Sequence, residues 1–522
     1  MRGPVVVVGD TLLDRDVEGV VNRLCPDSPV PVLDETSATD RPGGAGLAAV
    51  FAAAQGAEVV LVTALADDAG GARLSALLAA AGVQVYPLTL SGATPEKVRL
   101  RARGRVLLRH DRGGVPGEPG QPSDEVLRVI GAASAVLVSD YGRGVARQPA
   151  LRAALAATRA PVVWDPHPRG PAAVPGVHLA TPNESEVREL VPTLPGASRL
   201  ATASRGAQGL RRRWRAGAVA VTLGGDGALL CHAGSTPLVV PTPGSAEGDT
   251  CGAGDRFAAS ASLALAQGAL VSEAVQAAVA EASAYVAGGG VAAALPPRVR
   301  PLSARSEPGL RAPQSRTNRG PLPTGVVGSG GDRVGVAAVA TLLADVRAAG
   351  GTVVATGGCF DLLHAGHVAT LQAARQLGDC LIVCLNSDAS VAGLKGPDRP
   401  VMSEGDRARL LAALSCVDAV LLFDESTPEA ALSWLRPDIW VKGGDYATGG
   451  GDSAALPEAE VLRRWGGHTV VVPYLDGRST TDMIARSGQG HATGACCATG
   501  DPTEPACTAA PSSVTPGGER TR

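Results

Sequence analysis

The sequence has few aromatic residues, few cysteines and no long apolar run. Only 3% of its 522 residues are aromatic, so its cores must consist mainly of Ala, Val and Leu, which favours layers of helices on sheets. The 10 cysteines are sparse, and Cys231, Cys380 and Cys384 lie in apolar runs, which indicates reduced thiols. No apolar run approaches the roughly 18 residues of a membrane span, and the four valines near the N-terminus are too few for a signal peptide. We therefore expect a cytoplasmic protein.

The chain also carries little net charge, a formal −3 at pH 7. This balance gives no general attraction to nucleic acid or to anionic membranes, so any phosphate binding must be local. At 522 residues the chain is too long for one ordinary hydrophobic core, which predicts two domains and a linker.

Valine-rich runs alternate with alanine-rich runs over 1–296, which is typical of βαβ units and a mostly parallel sheet. Two segments break this rhythm, Asp16 to Glu35 and Tyr86 to Asp111, and their alternating polar pattern predicts antiparallel strands in a small lid. Pro, Gly, Arg and Ser dominate 297–335, which predicts a flexible linker. A second α/β series covers 336–486, and the Gly-, Thr-, Pro- and Ser-rich stretch 487–522 predicts a disordered tail.

The segment DTCGAGDRF at 249–257 precedes an alanine-rich helical run. Its glycines let the backbone approach a phosphate closely, and the start of the next helix offers free N–H groups and the positive end of the helix dipole. Asp255 lies at that helix start, where a carboxylate can take the proton from an attacking sugar hydroxyl. A glycine turn with an Asp helix cap is the alternative interpretation.

Four upstream segments add groups that suit the binding of a nucleotide and a sugar phosphate. VTLGGDGALL at 221–230 predicts two strands around a glycine turn that holds a nucleotide, and TPNESE at 181–186 supplies Asn183 and Glu186, which can orient magnesium through water. GDTLLDRD at 9–16 contributes Asp10 and Asp14, and RPGGAG at 41–46 opens a helix, as sugar-hydroxyl and sugar-phosphate sites require. Each segment alone is compatible with a turn or a solvated acid.

In this order the motifs resemble those of the ribokinase-like (PfkB) sugar kinases, and the intact GAGD at 252–255 makes Asp255 the catalytic base by that resemblance. Segments 23–33, 96–111 and 139–144 resemble the heptose 7-phosphate kinases more narrowly. Two positions depart from the family pattern: Leu47 replaces a sugar-binding Asn, and Arg256 replaces a small polar residue. The resemblance implies a nucleotide site with Asn183, Glu186, Gly224, Gly225, Gly252, Ala253 and Gly254, and a sugar-phosphate site with Asp10, Asp14, Gly43, Gly44, Lys97, Arg99, Arg109 and Asp140.

The segment TGGCFDLLHAGH at 356–367 follows a valine-rich strand and opens an amphipathic helix. His364 and His367 are three residues apart at its head, so both imidazoles can face one pocket. With the helix N-terminus they can stabilise charge on the α-phosphate of a nucleotide, and a phosphate nucleophile that is already ionised hardly needs a general base. Helix-capping or zinc-binding histidines are the alternative, which the absence of a third ligand in the nearby sequence disfavours.

This motif resembles the HxGH cytidylyltransferase-like superfamily, and segments 385–401, 417–432, 436–446 and 476–484 resemble the adenylyltransferase half of bifunctional heptose enzymes. A kinase followed by a transferase is the domain order of the bifunctional D-glycero-β-D-manno-heptose 7-phosphate kinase and heptose 1-phosphate adenylyltransferase family. The resemblance implies that His364 and His367 are catalytic and that the nucleotide site includes Gly357, Gly358, Phe360, Lys395, Arg399, Lys442, Gly443, Ser479, Thr480 and Thr481.

The same resemblance implies an α/β fold with two domains, a ribokinase-like α/β sandwich with a small β lid and then a Rossmann-like domain with a parallel sheet. It implies phosphorylation of heptose 7-phosphate at O1, loss of the 7-phosphate to a separate phosphatase, and adenylyl transfer that gives ADP-heptose. ATP as co-substrate, Mg²⁺ and a homodimer through the lid are further expectations, and we assign no residue as a direct metal ligand. Cys496, Cys497, Cys507 and His491 in the tail fit no zinc template.

Several alternatives stay open at this point. The two reactions can act on a different sugar phosphate, or use CTP or GTP. The first half can be a non-catalytic kinase-like module, and a nucleotide-sensing interaction protein is the non-enzymatic reading of the same motifs.

Overall fold

A computed structural model describes residues 3–103, 105–113, 117–191, 198–232, 236–244, 248–294, 335–444 and 457–473. All of them belong to one contact unit, Met1–Asp476. The predicted linker 297–335, apart from Gly335, and the predicted tail 487–522 lie outside the described residues, as do Ser479, Thr480 and Thr481. Within the described ranges, no helix combines the length and the apolar character that crossing a bilayer requires.

Strands and helices alternate over most of the first half. Its strands are β1 (Val5–Gly9), β2 (Thr11–Leu24), β3 (Pro31–Gly44), β4 (Val59–Leu65), β5 (Gln84–Thr89), β6 (Glu96–Ala102), β7 (Arg105–Arg112), β8 (Ala135–Ser139), β9 (Val162–Asp165), β10 (Leu179–Ala180), β11 (Ala218–Thr222), β12 (Ala228–Cys231) and β13 (Leu238–Val240). Its helices are α1 (Ala45–Ala54), α2 (Ala69–Ala80), α3 (Asp124–Gly131), α4 (Pro149–Ala157), α5 (Glu184–Leu190), α6 (Arg199–Trp214), α7 (Ala253–Ala266), α8 (Val271–Ala287) and α9 (Val291–Ala294).

The main sheet of the first half has the strand order β13-β12-β11-β10-β9-β8-β1-β4-β5. Its central strand β1 is buried along its whole length and is parallel to both neighbours, β4 and β8. The VVVV run is continuous because alternate valines pack into the two clusters on opposite faces of the sheet. Asp10 and Asp140 follow β1 and β8, so the two carboxylates meet at the carboxyl edge of the sheet, where ligands bind in open α/β folds.

The lid is a separate sheet of order β3-β2-β6-β7 in the described part of the chain. β2 pairs with β3 and β6 with β7 in antiparallel fashion, as predicted, but the central pair β2 and β6 is parallel. The assignment of Tyr86 to Thr89 to the lid is wrong, since these residues belong to β5 at the edge of the main sheet, parallel to β4. The polar alternation there belongs to an edge strand, of which one face is exposed.

The second half has strands β14 (Val353–Gly358), β15 (Cys380–Asn386), β16 (Ala419–Phe423), β17 (Ile439–Gly444) and β18 (His468–Pro473). Its helices are α10 (Val336–Ala348), α11 (Ala365–Arg375), α12 (Asp388–Lys395), α13 (Glu404–Ala412), α14 (Glu429–Leu435) and α15 (Pro457–Arg463). The strand order is β16-β15-β14-β17-β18, and every neighbouring pair is parallel. The chain direction across the sheet reverses at β14, and ligands bind at such a switch point. The loop with His364 follows β14.

In the described part of the chain, the sheets of the two halves meet where β13 lies beside β18. Leu238 on β13 lies beside Val471 on β18 in parallel register, and the Val471 amide donates a 3.0 Å hydrogen bond to the carbonyl oxygen of Pro237. The main strands of both halves therefore form one continuous 14-stranded sheet.

Candidate active sites

Asp255 lies in the first turn of α7, directly after the glycine segment. Gly252 caps this helix in the left-handed conformation (φ 82°), and a Cβ there would lie 2.9 Å from Leu47 Cδ2, so glycine is required. Asp255 is 6% exposed, and burial raises the pKa of its carboxyl to about 7, against the opposing effect of a hydrogen bond from Tyr141. A carboxylate with this pKa at a helix N-terminus can accept a proton near neutral pH.

Tyr141 is a site residue that the sequence did not reveal. Its hydroxyl donates to both carboxylate oxygens of Asp255, at 2.9 and 3.0 Å, and the Lys97 ammonium lies 5.1 Å from the centre of its ring. The segment SDYGRG at 139–144 led to the prediction of Asp140 and not of the tyrosine beside it. The residue type was visible in that motif, but the contact joins positions 114 apart in the chain.

Asp10 holds the loop that carries Tyr141. Its Oδ2 accepts hydrogen bonds from the backbone N–H groups of Tyr141 and Arg143 (3.0 and 2.9 Å), and its Oδ1 accepts one from Val145 (3.0 Å). Asp140 accepts from the Gly142 amide at 2.8 Å through Oδ1, and burial raises the pKa of its carboxyl to about 7. Asp10, predicted to bind a sugar hydroxyl, is largely occupied by the protein backbone in this structure.

Gly43 and Gly44 lie where the lid strand β3 meets α1. A Cβ on Gly43 would come within 2.4 Å of Leu12 Cδ1 and 3.0 Å of the Asp14 carboxylate. Gly44 has φ 62°, and a Cβ there would lie 2.4 Å from the Asp10 carbonyl oxygen and 3.2 Å from the Tyr141 ring. Gly43 therefore leaves room for the Asp14 side chain, and Gly44 lets the chain approach the backbone of Asp10 and the ring of Tyr141.

The structure brings Asp14, Lys97 and Arg99 together on the neighbouring lid strands β2 and β6. The Arg99 guanidinium lies 3.5 Å from the Asp14 carboxylate, and burial lowers the pKa of Lys97. Arg109 lies on the exposed strand β7, where it forms an ion pair with Asp111 at 2.6 Å. The predicted sugar-phosphate cations therefore divide into an inner pair and one outer arginine.

Arg41 belongs to the same charged group and was missed as a site residue. It is 7% exposed, donates a 2.5 Å hydrogen bond to Asp16 and lies 3.8 Å from Asp14. Its Nε atom is buried with no hydrogen-bond partner among the described residues. Its place as the first residue of the RPGGAG segment 41–46 was the available signal. Arg99 also donates to the Cys251 sulfur at 3.7 Å, which links the lid to the glycine segment before Asp255.

Asn183 and Glu186 form a capping box at the start of α5. The Asn183 Oδ1 atom accepts from the Glu186 amide at 3.0 Å, and the Glu186 Oε2 atom accepts from the Asn183 amide at 2.8 Å. Burial raises the pKa of Glu186 to about 7. Asn183 also bridges Thr222 at the end of β11, so the cap lies beside the predicted nucleotide turn. In that turn, Gly224 and Gly225 have open space where a Cβ would lie.

Leu47 and Arg256, the two positions that depart from the family pattern, have different surroundings in the structure. Leu47 is 2% exposed and packs beneath Gly252, so the position offers an apolar wall instead of an amide. Arg256 turns toward Glu281, to which it donates at 2.5 Å, and its guanidinium lies 5.6 Å from the centre of the Phe51 ring. The charge of Arg256 is thus paired within the protein.

His364 and His367 lie together at the start of α11. The His364 Nδ1 atom caps the helix by accepting from the amides of Gly366 and His367 at 3.1 and 3.4 Å. The two imidazole rings stack with centroids 3.9 Å apart, and Phe360 lies 5.2 Å from His367. Burial, and then the neighbouring His364, lower the pKa of His367 to about 4. With Nδ1 accepting, a neutral His364 carries its proton on Nε2 and can donate it to a ligand.

A buried arginine and a buried aspartate hold the loops around these histidines. Arg407 is 0% exposed and donates to the carbonyl oxygens of Met402, Cys359 and Asn386 at 3.0, 2.6 and 2.8 Å, and to the Asp388 carboxylate at 2.6 Å. The site loops after β14 and β15 and before α13 are therefore tied to one side chain.

Arg399, predicted to close over the phosphates, donates to the Asp361 carboxylate at 2.5 Å. Asp361 also accepts from the amides of Val401 and Met402 at 2.6 and 3.2 Å, so the pKa of this carboxyl is lowered by these hydrogen bonds although burial opposes them. The Nη2 atom of Arg399 has no partner in the described part of the chain.

Four of the remaining predicted transferase residues lie at the carboxyl ends of β14 and β17. Gly357 and Gly358 end β14, and a Cβ on Gly357 would come within 2.5 Å of the Trp440 ring. Lys395 ends α12 and is exposed. Lys442 and Gly443 lie on β17, and the Lys442 ammonium forms an ion pair with Glu458 at 2.7 Å. The structure does not describe Ser479, Thr480 and Thr481.

The fold and these two sites define a carbohydrate kinase joined to a nucleotidylyltransferase, and comparison with known proteins agrees. Residues 3–298 match the pfkB family carbohydrate kinase, and residues 355–468 match the cytidylyltransferase-like family. The chain is 52% identical to the bifunctional protein HldE of Streptomyces coelicolor, over 94% of this chain and 97% of that protein. It is 36% identical to HldE of Pseudomonas savastanoi pv. phaseolicola, over 94% and 98%, and 37% identical to HldE of Caulobacter vibrioides, over 92% and 96%. The chain belongs to the HldE family of bifunctional proteins.

Proposed function

We propose that the first site transfers the γ-phosphoryl group of ATP to O1 of D-glycero-β-D-manno-heptose 7-phosphate. Asp255 takes the proton of the O1 hydroxyl, the oxygen forms a bond to the γ-phosphorus, and ADP leaves. The amides at the start of α7, from Gly252 through Gly254, stabilise the charge on the transferring group. The observation that supports this role is the position of Asp255, buried at a helix N-terminus with a pKa of about 7.

The second site transfers AMP from ATP to heptose 1-phosphate. A phosphate oxygen of the sugar attacks the α-phosphorus, pyrophosphate leaves, and the product is ADP-heptose. His364 donates from Nε2 because its Nδ1 accepts the helix amides, and His367 beside it remains neutral at physiological pH. The two imidazoles and the amides of the helix N-terminus stabilise the charge that builds on the α-phosphate without a proton transfer.

The other predicted ligands surround these groups. For the kinase we place the sugar phosphate against Lys97 and Arg99, with Arg109 at the rim and Asp14, Asp140 and Gly43–Gly44 on the sugar side. ATP lies along Gly224 and Gly225 toward Gly254. For the transferase we place ATP over Gly357, Gly358 and Phe360, with Lys395, Arg399, Lys442 and Gly443 around it and Ser479, Thr480 and Thr481 at the triphosphate. The domains are 1–296 for the kinase and 336–486 for the transferase, joined by 297–335.

Magnesium fits this arrangement as a ligand of the ATP phosphates. Among the described residues, no group of three or more His, Cys, Asp or Glu side chains could hold a metal ion. Asn183 and Glu186, joined in their capping box, would hold the ion through water. Mg²⁺ commonly binds in this way, by substrate phosphates, water and one or two carboxylates, and it neutralises charge on the transferring group.

The two reactions require an intermediate step that neither site performs. The kinase product carries phosphates at both O1 and O7, and the transferase substrate carries one at O1 only. A separate phosphatase that removes the 7-phosphate therefore acts between them. Because both reactions consume ATP, we place the protein in the cytoplasm.

A second copy of the chain is the proposed partner of the lid. Strand β7 is an edge of the lid sheet, and Val106, Leu107 and Leu108 on it are 50%, 49% and 57% exposed. Three consecutive exposed apolar side chains on an edge strand suit pairing with another strand. Light scattering should find a dimer that Leu107→Asp dissociates. The matched change Leu270→Asp, at an exposed leucine away from the lid, should leave the dimer intact, and a dimer that survives L107D contradicts this assignment.

A different sugar is the second candidate, and Leu47 is the observation that favours it. The apolar wall at this position removes one hydroxyl contact, so a sugar without a hydroxyl there would also fit. The test is a panel of sugar phosphates and of ATP, CTP and GTP, read by ADP and pyrophosphate release from the full chain. Preference for heptose 7-phosphate, heptose 1-phosphate and ATP supports the first proposal. Faster turnover of another sugar or nucleotide supports the second.

A further inference from the structure

Tyr141 makes the closest polar contact to the proposed kinase base. Its hydroxyl hydrogen is shared by the two carboxylate oxygens of Asp255, at 2.9 and 3.0 Å. We propose that Tyr141 is a positioning residue for phosphoryl transfer, which orients the Asp255 carboxylate and holds it ready to accept a proton, and that Asp10 acts through it by fixing the loop 141–145. This inference rests on the proposed function of Asp255 as the base.

The backbone around Tyr141 leaves its ring little freedom. Asp10 accepts three backbone hydrogen bonds from the loop at 2.9 to 3.0 Å, which anchor Tyr141 itself and the residues that follow it. Gly44 lies against the ring, where a Cβ would come within 3.2 Å, and Lys97 lies above it at 5.1 Å from its centre. These contacts therefore hold the ring in a position from which its hydroxyl donates to Asp255.

The Tyr141 hydroxyl is suited to donate at every pH at which the kinase works. Burial, and then the charge of Asp255, raise the pKa of the phenol well above its ordinary value, so it stays protonated. A hydrogen bond to the ionised form of an acid favours that form, and the contact opposes the effect of burial on the pKa of Asp255. A carboxylate has about four acceptor positions, so one phenol leaves room for the sugar hydroxyl.

Other charged and titratable groups also act on Asp255, and the test must separate Tyr141 from them. Asp14 on β2 raises the pKa of Asp255 and Lys97 on β6 lowers it. The charge of Asp255 in turn acts on Asp165 at the end of β9 and on Tyr285 in α8. None of these groups changes when Tyr141 becomes phenylalanine, so a shift in that variant is assigned to the lost hydroxyl.

The test is the pH dependence of kcat/KM for sugar phosphorylation by the full chain, which reports the free enzyme. The wild type should lose activity below about pH 7, where Asp255 takes up a proton. This decrease on the acid side is the acidic limb of the pH profile, and we call it the limb. Tyr141→Phe should move the limb to higher pH by about one unit, which is the effect of losing one charge-assisted hydrogen bond. Activity should then fall about tenfold at pH 6 and recover to near the wild-type value at pH 9. An equal loss at all pH values would overturn the proposal.

Two further variants complete the design. Tyr285→Phe is the control, because it removes a hydroxyl near the same site that donates to the Cys251 carbonyl oxygen at 2.7 Å and not to Asp255. The limb of this variant should stay in place. Asp10→Asn weakens the anchor of the loop, so the limb should move in the same direction as in Y141F. A higher KM for the sugar with an unmoved limb would instead make Asp10 a sugar ligand and remove it from the proposal.

Failure of this inference differs from failure of the proposed function. If Asp255→Asn retains phosphorylation, the assignment of the base is wrong. If D255N is inactive and the limb of Y141F does not move, Asp255 remains the base and the role of Tyr141 alone is rejected. The adenylyl transfer rate of each variant, measured in the same preparations, should equal that of the wild type.

Discussion

The guanidinium of Arg407 donates a 2.6 Å hydrogen bond to the carbonyl oxygen of Cys359, five residues before His364. The same side chain donates to Asn386 and Met402 and forms an ion pair with Asp388. A fully buried arginine with all these acceptors fixes the geometry of the transferase loops, because each carbonyl would lose a partner if it moved.

Arg407→Ala should therefore destabilise the second half. Three carbonyl groups, of which that of Asn386 is buried, lose their partner. We expect a decrease of about 3 kcal/mol in the free energy of unfolding, equivalent to a midpoint lower by roughly 10 °C. Thermal inactivation of adenylyl transfer measures this effect, and phosphorylation by the same chain reports whether the first half is affected. The control is Arg409→Ala on the same helix, whose side chain is 80% exposed and should change stability by less than about 0.5 kcal/mol. Equal effects of the two changes would contradict the assigned role.

Gly254→Ala should separate phosphate binding from folding. A Cβ at Gly254 meets nothing within 4 Å, and alanine favours a helix over glycine by up to about 1 kcal/mol, so the first half should unfold at the same or a slightly higher temperature. The methyl group should nevertheless obstruct the ATP phosphates, which raises KM for ATP and lowers kcat for phosphorylation.

Gly252→Ala is the matched comparison for that change. Gly252 has φ 82° and contacts Leu47 and Tyr285, so its substitution strains the fold as well. It should lower both the unfolding temperature and the activity. Normal ATP kinetics in G254A would show that the phosphates do not approach the start of α7.

His367 should make the stability of the second half depend on acid pH. Burial lowers the pKa of the folded imidazole from 6.5 to about 4, so between these values the unfolded chain binds a proton that the folded chain does not. The stability is thus fully present above pH 6.5 and decreases as the pH falls toward 4. Urea unfolding of the wild type and of His367→Asn at several pH values measures the difference. The free energy of unfolding of the wild type minus that of H367N should decrease as the pH falls from 6.5 toward 4. A value that does not change with pH would contradict the lowered pKa.

Local patterns were sufficient to predict much of the fold. The VVVV run, the strands around Gly224 and Gly225, and the helices that begin at Ala253 and Ala365 all occur where the sequence placed them. Each of these elements can be predicted from a few neighbouring residues. The signal is either a continuous apolar run or a glycine turn followed by apolar residues at helical spacing. The types of reactive side chain at both sites were predicted for the same reason.

Contacts between distant segments could not be predicted. Tyr141 contacts Asp255, which is 114 residues away in the chain. Arg407 lies in the helical segment EGDRARLLA, where an arginine is ordinarily exposed, although it is fully buried. The parallel pairing of β2 with β6 and the junction of Leu238 with Val471 depend on which strands meet in space. Asn183 and Glu186 were predicted to serve a ligand, and their reciprocal capping bonds satisfy a helix end at the same time.

Separation of the two reactions by single substitutions tests the central claim most directly. The measurement is mass spectrometry of the products that wild type, Asp255→Asn and His367→Ala form from ATP and magnesium with either heptose 7-phosphate or heptose 1-phosphate. D255N should lose sugar phosphorylation by at least about 100-fold and still produce ADP-heptose from heptose 1-phosphate at the wild-type rate. H367A should phosphorylate heptose 7-phosphate normally and lose adenylyl transfer by a factor of about 100 or more. A variant that loses both reactions, or one that keeps both, would contradict two independent active sites in one chain.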